Sequence, residues 1–396
     1  MHLLIDGDGC SFLCYNTLVF SEKLKILKEN RLFREIKDRE SPQGPRIKFA
    51  GKEYLNFSSN DYLGLAIHPS IIDKVKRSLD DYGYGSAASR LLSGGSILHK
   101  ELEDKIAQFK NTEAALIFNS GYAANTGIIP IITDEQTALF SDELNHASII
   151  DGCRMSKAEI LIYRHKDLSH LEELIRKHTA QRKMVITDTI FSMDGDISPL
   201  NDIYEICKKN NALLYIDDAH GTGVLGNGKG ALSHFNIHPE PWIVQMGTFS
   251  KALGSFGAFV AGSSDVVEWI LNTARSFIFS TALPSCVIAA SIAALEIIEK
   301  DSDLIKKLWA NRNKVVNNIK DIGYDIMGSD TPIIPVRTGS VENTLRVSKH
   351  LFEKGIFAPA IRPPTVKDSR IRINVTATHT DEDIEKLIEA LREVKI

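Results

Sequence analysis

The chain has 396 residues, and its 47 lysines and arginines against 51 aspartates and glutamates give a formal charge of −4, which argues against a nucleic-acid-binding surface. It is longer than the roughly 250–300 residues at which single cores stop growing, so more than one domain is expected. The amino terminus lacks the basic residues of a signal peptide, and no apolar run approaches the roughly 20 residues that a membrane span needs.

The five cysteines are scattered along the chain. Cys10 and Cys14 have no second pair of ligands nearby, so we expect no metal site. An odd number of cysteines without regular spacing is typical of reduced thiols, and the predicted location is therefore the cytoplasm.

The first 59 residues predict one helix and one hairpin. Residues 21–40 place apolar side chains at nearly helical spacing among charged ones, which predicts an amphipathic helix that the prolines and glycine of residues 41–45 end. Residues 46–49 and 53–57 then form a hairpin-like pair. We treat residues 1–59 as an amino-terminal segment and assign no role to its first 20 residues.

Residues 60–290 alternate helical segments with short apolar runs, at 114–118, 137–140, 159–163, 183–187, 212–216, 242–246 and 257–261. Continuous apolar strands separated by helices predict an α/β domain with a mostly parallel sheet covered on both faces. From residue 291 the strands become fewer and the helices longer, which predicts a smaller α+β domain over 291–396. A helix from Asp381 to Val394, with Thr380 as its N-cap, ends that domain.

Polar residues follow two of the predicted strands. Asp217 and His220 come after the strand at 212–216, and Lys251 lies among small and hydroxyl residues after the next strand. A pyridoxal phosphate (PLP) enzyme needs a lysine for the cofactor aldehyde and a carboxylate that keeps the pyridine nitrogen protonated. Either group alone is as often an ordinary polar strand end. The two together, in this order, favour a PLP site.

A glycine-rich motif at residues 221–226 points to a different cofactor. It fits the G-x-G-x-x-G pattern of dinucleotide-binding enzymes, in which the third glycine lies in a helix that receives the pyrophosphate. Here the chain continues through Asn227, Gly228 and Gly230, which is too rich in glycine to begin a helix. A nicotinamide-dependent dehydrogenase is therefore disfavoured.

Residues 119–125 predict a phosphate site, because they follow the strand at 114–118 and begin a helix whose free N–H groups bind anions. Gly121 and Tyr122 lie in this segment, and the hydroxyl of Thr248 can reach the same phosphate. An ordinary helix start explains these residues equally well without Lys251. The presence of Lys251 favours the phosphate site.

Three further positions suit a PLP enzyme that acts on an amino acid. His146 follows a strand and can stack on a pyridine ring, although a lone histidine is more often a cap or a surface residue. His220 or Ser192 can donate to the phenolic oxygen of the ring. An arginine near the carboxyl end would bind a carboxylate. Arg370 and Arg372 lie on one face of the same predicted strand, so spacing alone does not choose between them.

Several motifs carry a family resemblance. Asp-Asp-Ala-His-Gly-Thr-Gly at 217–223, Thr-Phe-Ser-Lys at 248–251, Asn-His-Ala-Ser at 145–148 and Ser-Ser-Asn-Asp-Tyr-Leu-Gly at 58–64 resemble the α-oxoamine synthases. These are fold-type I PLP enzymes that condense an amino acid with an acyl thioester. The likeness runs from about residue 30 to the end of the chain.

Within the family, two members are the nearest. Residues 53–64 and 360–366 resemble the member that joins L-alanine to a pimeloyl thioester. Residues 142–152 and 266–269 are also similar to the member that joins glycine to acetyl-CoA, but residues 219–222 differ from it. The alanine enzyme is therefore the first choice, the glycine enzyme the second and a plain aminotransferase the third. A catalytically silent scaffold would not need Lys251, Asp217 and His146 together.

The resemblance implies a role for each matching residue. Lys251 holds the cofactor and then carries protons, Asp217 pairs with the pyridine nitrogen, His146 stacks on the ring, and His220 and Ser192 lie near its phenolic oxygen. The implied phosphate contacts are Gly121, Tyr122 and Thr248, with Ser280 and Thr281 reaching the partner subunit's phosphate in a homodimer. The implied substrate contacts are Arg34, Asn60, Thr365 and Arg372. Between Thr365 and Arg372 this chain has two residues fewer than the family pattern.

Overall fold

The computed structural model describes the backbone of residues 9–394 and the side chains of residues 19–394. Residues 1–8, and the side chains of Cys10 and Cys14, lie outside the described part. The remaining cysteines, Cys153, Cys207 and Cys286, are free and buried. Of the helices in the described residues, none is long and apolar enough to cross a membrane.

The first helix, α1, spans Gly9–Glu29, so the prediction of a helix over 21–40 is wrong beyond residue 29. The helix ends in a Schellman turn, in which Arg31 has a left-handed φ of 58° and its N–H donates to the Lys28 carbonyl at 3.0 Å. Glycine usually occupies that position, and its absence hides the turn in the sequence. Arg34 therefore lies in the segment after the helix and not on it.

The predicted hairpin is confirmed. Strands β1 (Arg46–Phe49) and β2 (Lys52–Asn56) pair in antiparallel register. The two residues between them, Ala50 and Gly51, have φ angles of 47° and 74°. Two positive φ angles are typical of the tight turn that matches the twist of a hairpin.

A three-layer α/β unit follows. Its helices and strands, in chain order, are α2 (Pro69–Tyr82), α3 (Ile97–Lys110), β3 (Ala114–Phe118), α4 (Gly121–Ile132), β4 (Thr137–Asp142), α5 (Ala147–Met155), β5 (Glu159–Tyr163), α6 (Leu168–Lys177), β6 (Arg182–Asp188), α7 (Leu200–Lys209), β7 (Leu213–Asp217), α8 (Ala231–His234), β8 (Ile243–Thr248), β9 (Ala258–Gly262), α9 (Ser264–Thr273), α10 (Arg275–Ile278) and α11 (Ser285–Lys300). All the strands predicted from the apolar runs of this unit are present.

These strands form one seven-stranded sheet in the order β3-β9-β8-β7-β6-β4-β5. Neighbours from β8 to β5 are parallel, whereas β9 pairs in antiparallel register with β8 and β3. Alternate side chains of β7 enter different cores, since Leu214 and Ile216 pack on one face and Tyr215 on the other. The predicted fold class, a mostly parallel sheet buried on both faces, is confirmed.

The carboxyl-terminal part contains α12 (Asp303–Asp321), β10 (Ile333–Gly339), α13 (Val341–Glu353), β11 (Ile356–Phe357), β12 (Ala360–Ile361), β13 (Ser369–Asn374) and α14 (Asp381–Arg392). β13 pairs with β10 and β12 in a small antiparallel sheet. Thr380 caps α14 as predicted, because its hydroxyl accepts the Asp383 N–H at 3.2 Å.

The division at residues 59/60 and 290/291 stays a prediction. In the structure, Leu55 and Phe57 pack in the carboxyl-terminal core, and β2 pairs in parallel with β11. Ile292 and Leu295 of α11 pack in the core of the large sheet. The packing therefore joins part of the amino-terminal segment to the small unit and α11 to the large one.

Candidate active site

The carboxyl ends of three neighbouring parallel strands carry polar residues at one edge of the large sheet. β6 ends at Asp188 and β7 at Asp217, and these two residues are paired in register. β8 ends at Thr248, shortly before Lys251. A cavity of about 180 Å³ opens at this edge. Its lining includes the predicted residues Gly121, Tyr122, His146, Ser192, Asp217, His220, Thr248 and Lys251.

Lys251 supplies the amine of this cavity. Burial lowers its pKa from 10.5 to about 8, although the carboxylates of Asp217 and Asp188 raise it. The nearby guanidinium of Arg372 adds to the lowering. A lysine with this pKa is partly neutral near neutral pH, so its Nζ can attack an aldehyde and can accept a proton.

Buried hydrogen bonds fix the direction of the Asp217 carboxylate. The Asn125 amide donates to Oδ2 at 2.8 Å, and the Ala219 N–H donates to Oδ1 at 3.0 Å. The Tyr215 hydroxyl donates to the Asn125 side-chain oxygen at 2.8 Å. Asn125 was not identified from the sequence, because it is 92 residues from Asp217 and has no motif of its own.

His146 begins α5 and is held by a carboxylate that the sequence did not reveal. Its N–H donates to Oδ2 of Asp188 at 2.6 Å, and its Nδ1 accepts the Ser148 N–H at 3.2 Å. Burial lowers the pKa of His146 and keeps the ring neutral. Burial and the neighbouring Asp217 raise the pKa of Asp188 well above its usual range. His146 lines the cavity together with Asp217 and Lys251, and stacking on a cofactor ring stays a prediction.

His220 is buried and bonded to a tyrosine. Its Nδ1 lies 2.8 Å from the hydroxyl of Tyr62. Because Arg372 can only donate, Tyr62 accepts from Arg372 and donates to His220, which assigns the histidine proton to Nε2. Burial keeps the pKa of His220 well below its usual value. His220 is therefore a neutral donor, and Tyr62 is another residue that the sequence did not identify.

The start of α4, where the phosphate site is predicted, lies at the cavity. Ser120 caps the helix, and Gly121 is its first residue. Tyr122, 47% exposed, is the next residue. The hydroxyl of Thr248 lies 2.7 Å from that of Ser250, which also lines the cavity and was not predicted.

The structure distinguishes the two arginines of β13. Arg370 donates to the Asp194 carboxylate at 2.6 Å. Arg372 donates to the Ser192 carbonyl at 2.6 Å, and its terminal nitrogens lie 3.3 and 3.4 Å from the Asn60 side-chain oxygen. Among the described residues, no carboxylate forms an ion pair with Arg372. Arg372 is thus the arginine with charge to offer a ligand.

A second cavity, of about 720 Å³, shares Ser192 with the first and is lined by Thr365. The Arg34 guanidinium donates to the Thr365 hydroxyl at 2.9 Å. Arg362 fixes the segment that carries Arg34, because it donates to the carbonyls of Arg31 and Phe33 at 2.8 and 3.0 Å. The structure therefore brings Arg34 and Thr365 together from two irregular segments, while a contact of either residue with substrate stays a prediction.

Ser280 and Thr281 do not line either cavity. They border a separate small space near Asn119, whose amide donates to the Thr281 carbonyl at 2.9 Å. The side chain of Thr281 is exposed. A role at the partner subunit's phosphate stays a prediction.

Two glycines of residues 221–230, Gly221 and Gly230, pack against a buried ion pair. Lys110 donates to Oδ2 of Asp218 at 2.7 Å, and both side chains are 1% exposed. A Cβ atom on Gly221 would lie 2.1 Å from one Asp218 oxygen, and one on Gly230 would lie 1.9 Å from the other. The segment begins no helix at its third glycine, where residues 226–228 form a single 3₁₀ turn. Gly221 and Gly230 make room for the carboxylate, whereas the other two glycines of the dinucleotide-like pattern, Gly223 and Gly226, have positive φ angles and lie against Ala252 and Ser233.

Known proteins are similar to this sequence over most of its length. Residues 52–391 match the family model of aminotransferase class I and II. An 8-amino-7-oxononanoate synthase of Thermoanaerobacter pseudethanolicus is 45% identical over 378 residues, 94% of this chain and 95% of that one. A protein of Thermodesulfovibrio yellowstonii that is provisionally named an 8-amino-7-oxononanoate synthase is 54% identical over 374 residues, 94% of this chain and 96% of that one. The chain belongs to the α-oxoamine synthases.

Solved structures of other α-oxoamine synthases have the same fold. A serine palmitoyltransferase of Sphingomonas wittichii gives a TM-score of 0.89 at 27% identity, covering 95% of this chain and 96% of that one. An 8-amino-7-oxononanoate synthase of Francisella tularensis gives 0.76 at 27% identity, covering 86% and 97%. A serine palmitoyltransferase of S. paucimobilis holds PLP joined to myriocin. This α-oxoamine synthase is a PLP-dependent acyltransferase.

Proposed function

We propose that this α-oxoamine synthase joins L-alanine to a pimeloyl thioester, carried by coenzyme A or an acyl carrier protein, to give 8-amino-7-oxononanoate in biotin biosynthesis. A bond forms between the alanine Cα and the thioester carbonyl carbon, and the C–S bond breaks to release the thiol. The alanine carboxyl group leaves as CO₂. One proton leaves Cα before the new bond forms, and one returns after CO₂ departs.

The residues of the 180 Å³ cavity suit PLP by their chemistry. Lys251 would hold the aldehyde, Asp217 the protonated ring nitrogen and His146 one face of the ring, while Gly121 and Thr248 would bind the phosphate. When bound, PLP supplies a ring that takes up the electron pair left at Cα. An amine, a carboxylate, a flat ring and an open helix start in one cavity support this assignment.

Two residues would handle the amino acid. Lys251, with a pKa of about 8, is the base placed to accept the Cα proton and to return one. Arg372 would bind the alanine carboxylate, because its partners among the described residues are neutral: the Ser192 carbonyl, the Asn60 amide and the Tyr62 hydroxyl. His220 would donate from Nε2 at the cofactor's phenolic oxygen, and Ser192 lies beside it.

The observation that carries the choice of acyl group is the contact between Arg34 and Thr365 at 2.9 Å, beside the 720 Å³ cavity. A pimeloyl chain ends in a second carboxylate, which needs a cation or several donors when water is removed. Acetyl has no such group. A guanidinium and a hydroxyl held together at this cavity therefore support a dicarboxylic acyl chain.

The resemblance also supports a cytoplasmic homodimer in which Ser280 and Thr281 contact the partner subunit's phosphate. Mixed dimers of Lys251→Ala and Thr281→Ala chains test this arrangement. One of the two sites in such a dimer would have both native residues, so activity should exceed that of either variant alone. Activity no higher than the sum of the parents would contradict the shared site.

A steady-state assay of the purified enzyme tests the reaction. L-Alanine and glycine are each combined with pimeloyl-CoA and acetyl-CoA, and the released thiol is measured. The proposal predicts the highest kcat/KM for alanine with pimeloyl-CoA. A preference for glycine with acetyl-CoA would instead identify the chain as a glycine C-acetyltransferase.

A further inference from the structure

His165, just after β5, has a carboxylate at each ring nitrogen. Its Nδ1 lies 3.0 Å from Oδ1 of Asp142, and its Nε2 lies 2.9 Å from Oδ2 of Asp196. A neutral imidazole has only one N–H, so both contacts are hydrogen bonds only when the ring is protonated. Although burial lowers its pKa, the two carboxylates raise it overall to about 9. His165 is therefore an imidazolium cation at neutral pH.

Asp142, the carboxylate at Nδ1 of His165, fixes the turn that leads to His146. Asp142 ends β4, and its Oδ1 also accepts the Leu144 N–H at 2.9 Å. Its Oδ2 accepts the Lys166 N–H at 3.1 Å. This side of the imidazolium is thus anchored to the sheet.

Asp196, the carboxylate at Nε2 of His165, belongs to a tight loop of residues 190–197. Ile190 and Ile197 form a bridge at the base of the loop, and the Phe191 N–H donates to the Asp196 carbonyl at 3.1 Å. The Phe191 ring meets the His165 ring edge-on, with centroids 4.4 Å apart. The side chain of Asp196 is thus the charged link between this loop and the sheet.

The same loop holds Arg372, whose charge acts on Lys251 in the candidate site. The carbonyl of Ser192 accepts from Nε of Arg372 at 2.6 Å, closer than the 3.3 and 3.4 Å between the Asn60 oxygen and the terminal nitrogens. A shift of the loop moves this carbonyl and with it the guanidinium. Bidentate binding of a carboxylate by arginine depends on the plane of the guanidinium.

We propose that His165 is a positioning residue: as a cation between Asp142 and Asp196, it holds the 190–197 loop so that Arg372 faces the substrate carboxylate. The proposal rests on the proposed role of Arg372. Loss of the imidazolium charge leaves two carboxylates facing each other across the gap, and their repulsion displaces the loop. Among the described residues, Lys166 is a second cation that bonds Asp196, at 2.9 Å, and Arg370 pairs with Asp194 of the same loop at 2.6 Å. The Glu143 carboxylate accepts the backbone N–H of His165.

The sign of the pH effect follows from the raised pKa. The stabilising charge is fully present below the ordinary histidine pKa of 6.5 and is lost as the pH rises through about 9. We therefore expect carboxylate binding by the wild-type holoenzyme to weaken above pH 9. The probe is propionate, which resembles alanine but has no amine that titrates in this range.

The test is the propionate dissociation constant of PLP-loaded enzyme, measured by titration calorimetry between pH 7 and pH 10. For His165→Gln we expect the propionate dissociation constant at pH 7 to rise by about tenfold, near the lower limit for losing a hydrogen bond to a charged group. The weakening of propionate binding that we expect near pH 9 in the wild type should be absent from this variant. The double variant His165→Gln/Asp196→Asn should recover part of the affinity, because one of the facing charges is gone.

His178→Gln is the matched control. His178 has a side chain 19% exposed against 20% for His165, contacts the Glu159 carboxylate at 3.1 Å and lies edge-on to Phe140. It does not touch the loop in the described structure, so propionate affinity should stay within twofold of wild type.

Three results would overturn the proposal. One is a propionate affinity in His165→Gln equal to that of the control, even with a lowered melting temperature. Another is an unchanged step near pH 9 in the variant. The third is unaltered propionate binding in Arg372→Met. That result would also contradict the proposed role of Arg372. If Arg372→Met weakens binding and His165→Gln does not, only the role of His165 fails.

Discussion

The cofactor end and the acyl end of the candidate site are built differently. At the cofactor end, Asp217 and Asp188 stand on adjacent strands of a central sheet, and each accepts a hydrogen bond from a neighbouring element. At the acyl end, Arg34 and Thr365 lie on two irregular segments and share one exposed hydrogen bond. Buried bonds fix geometry more firmly than exposed ones, because water does not compete for them.

The difference separates chemistry from specificity. Under the proposed function, the groups that handle a proton are fixed by the sheet, whereas Arg34, proposed to recognise the end of the acyl chain, lies where segments can change without disturbing a core. Substitutions at the cofactor end should therefore affect every substrate. Substitutions at the acyl end should affect one substrate and spare the others.

The largest effect is expected for Lys251→Ala. Removing the only amine of the cavity takes away both the cofactor link and the proton carrier, so kcat should fall by at least about 10²–10⁴-fold, the usual contribution of proton transfer. Borohydride reduction followed by peptide mapping should place the pyridoxyl group on Lys251 in the wild type. Label on a different lysine would contradict the assignment.

Arg372→Met should raise the KM for alanine by about 10- to 100-fold, corresponding to the roughly 1.5–3 kcal/mol of a hydrogen bond to a charged group. Acyl-thioester KM should change little. Arg337→Met is the control, because Arg337 of the same small sheet is paired with Asp325 and Asp368 and does not contact the 190–197 loop in the described structure. Its alanine KM should stay near wild type, and an equal rise in both variants would show that the guanidinium of Arg372 has no special role.

Arg34→Ala tests the acyl end. The KM for pimeloyl thioester should rise by a similar or smaller factor, up to roughly 1.5–3 kcal/mol, with alanine KM unchanged. Lys37→Ala removes a cation from the same segment that lies over the Phe352 ring, away from Thr365, and serves as the control. An unchanged pimeloyl KM in Arg34→Ala, in an enzyme that prefers acetyl-CoA and glycine, would count against the dicarboxylic chain.

The smallest effect is expected for Tyr62→Phe. Without the hydroxyl, His220 loses the partner that keeps its proton on Nε2, and kcat should fall by about two- to tenfold, the equivalent of one ordinary hydrogen bond of about 0.5–1.5 kcal/mol. Tyr54→Phe, which changes a buried tyrosine stacked on Phe352 in another core, is the control. Equal losses in the two variants would point to stability alone.

Sequence reasoning succeeded where local pattern decides structure. The apolar runs gave the strands of the large sheet, and strand ends gave Asp217 and Lys251, because parallel strands place their carboxyl ends at one edge. It failed for α1, where a non-glycine residue, Arg31, adopts the left-handed angle that ends the helix. Strand spacing could not choose Arg372 over Arg370, since that choice depends on Asp194, and only the family resemblance named Arg372.

The residues that sequence reasoning missed act through partners far along the chain. Asn125 bonds Asp217 across 92 residues, and Tyr62 bonds His220 across 158. Such pairs follow from the three-dimensional arrangement and leave no spacing to detect. Asp188 is different, because it ends a predicted strand beside Asp217, and the rule that identified Asp217 applies to it equally.

The pairing of β2 with β11 has a consequence for synthesis of the protein. Leu55 pairs with Ile356, so the first strand of the small unit is made about 300 residues before its neighbour. At roughly 5–20 residues per second, that strand waits on the ribosome for about 15–60 s without its partner. The hairpin's apolar face is therefore a region for chaperones to cover during translation. A fragment beginning at residue 291 would expose the surface that Leu55 and Phe57 normally fill, and should aggregate when expressed alone.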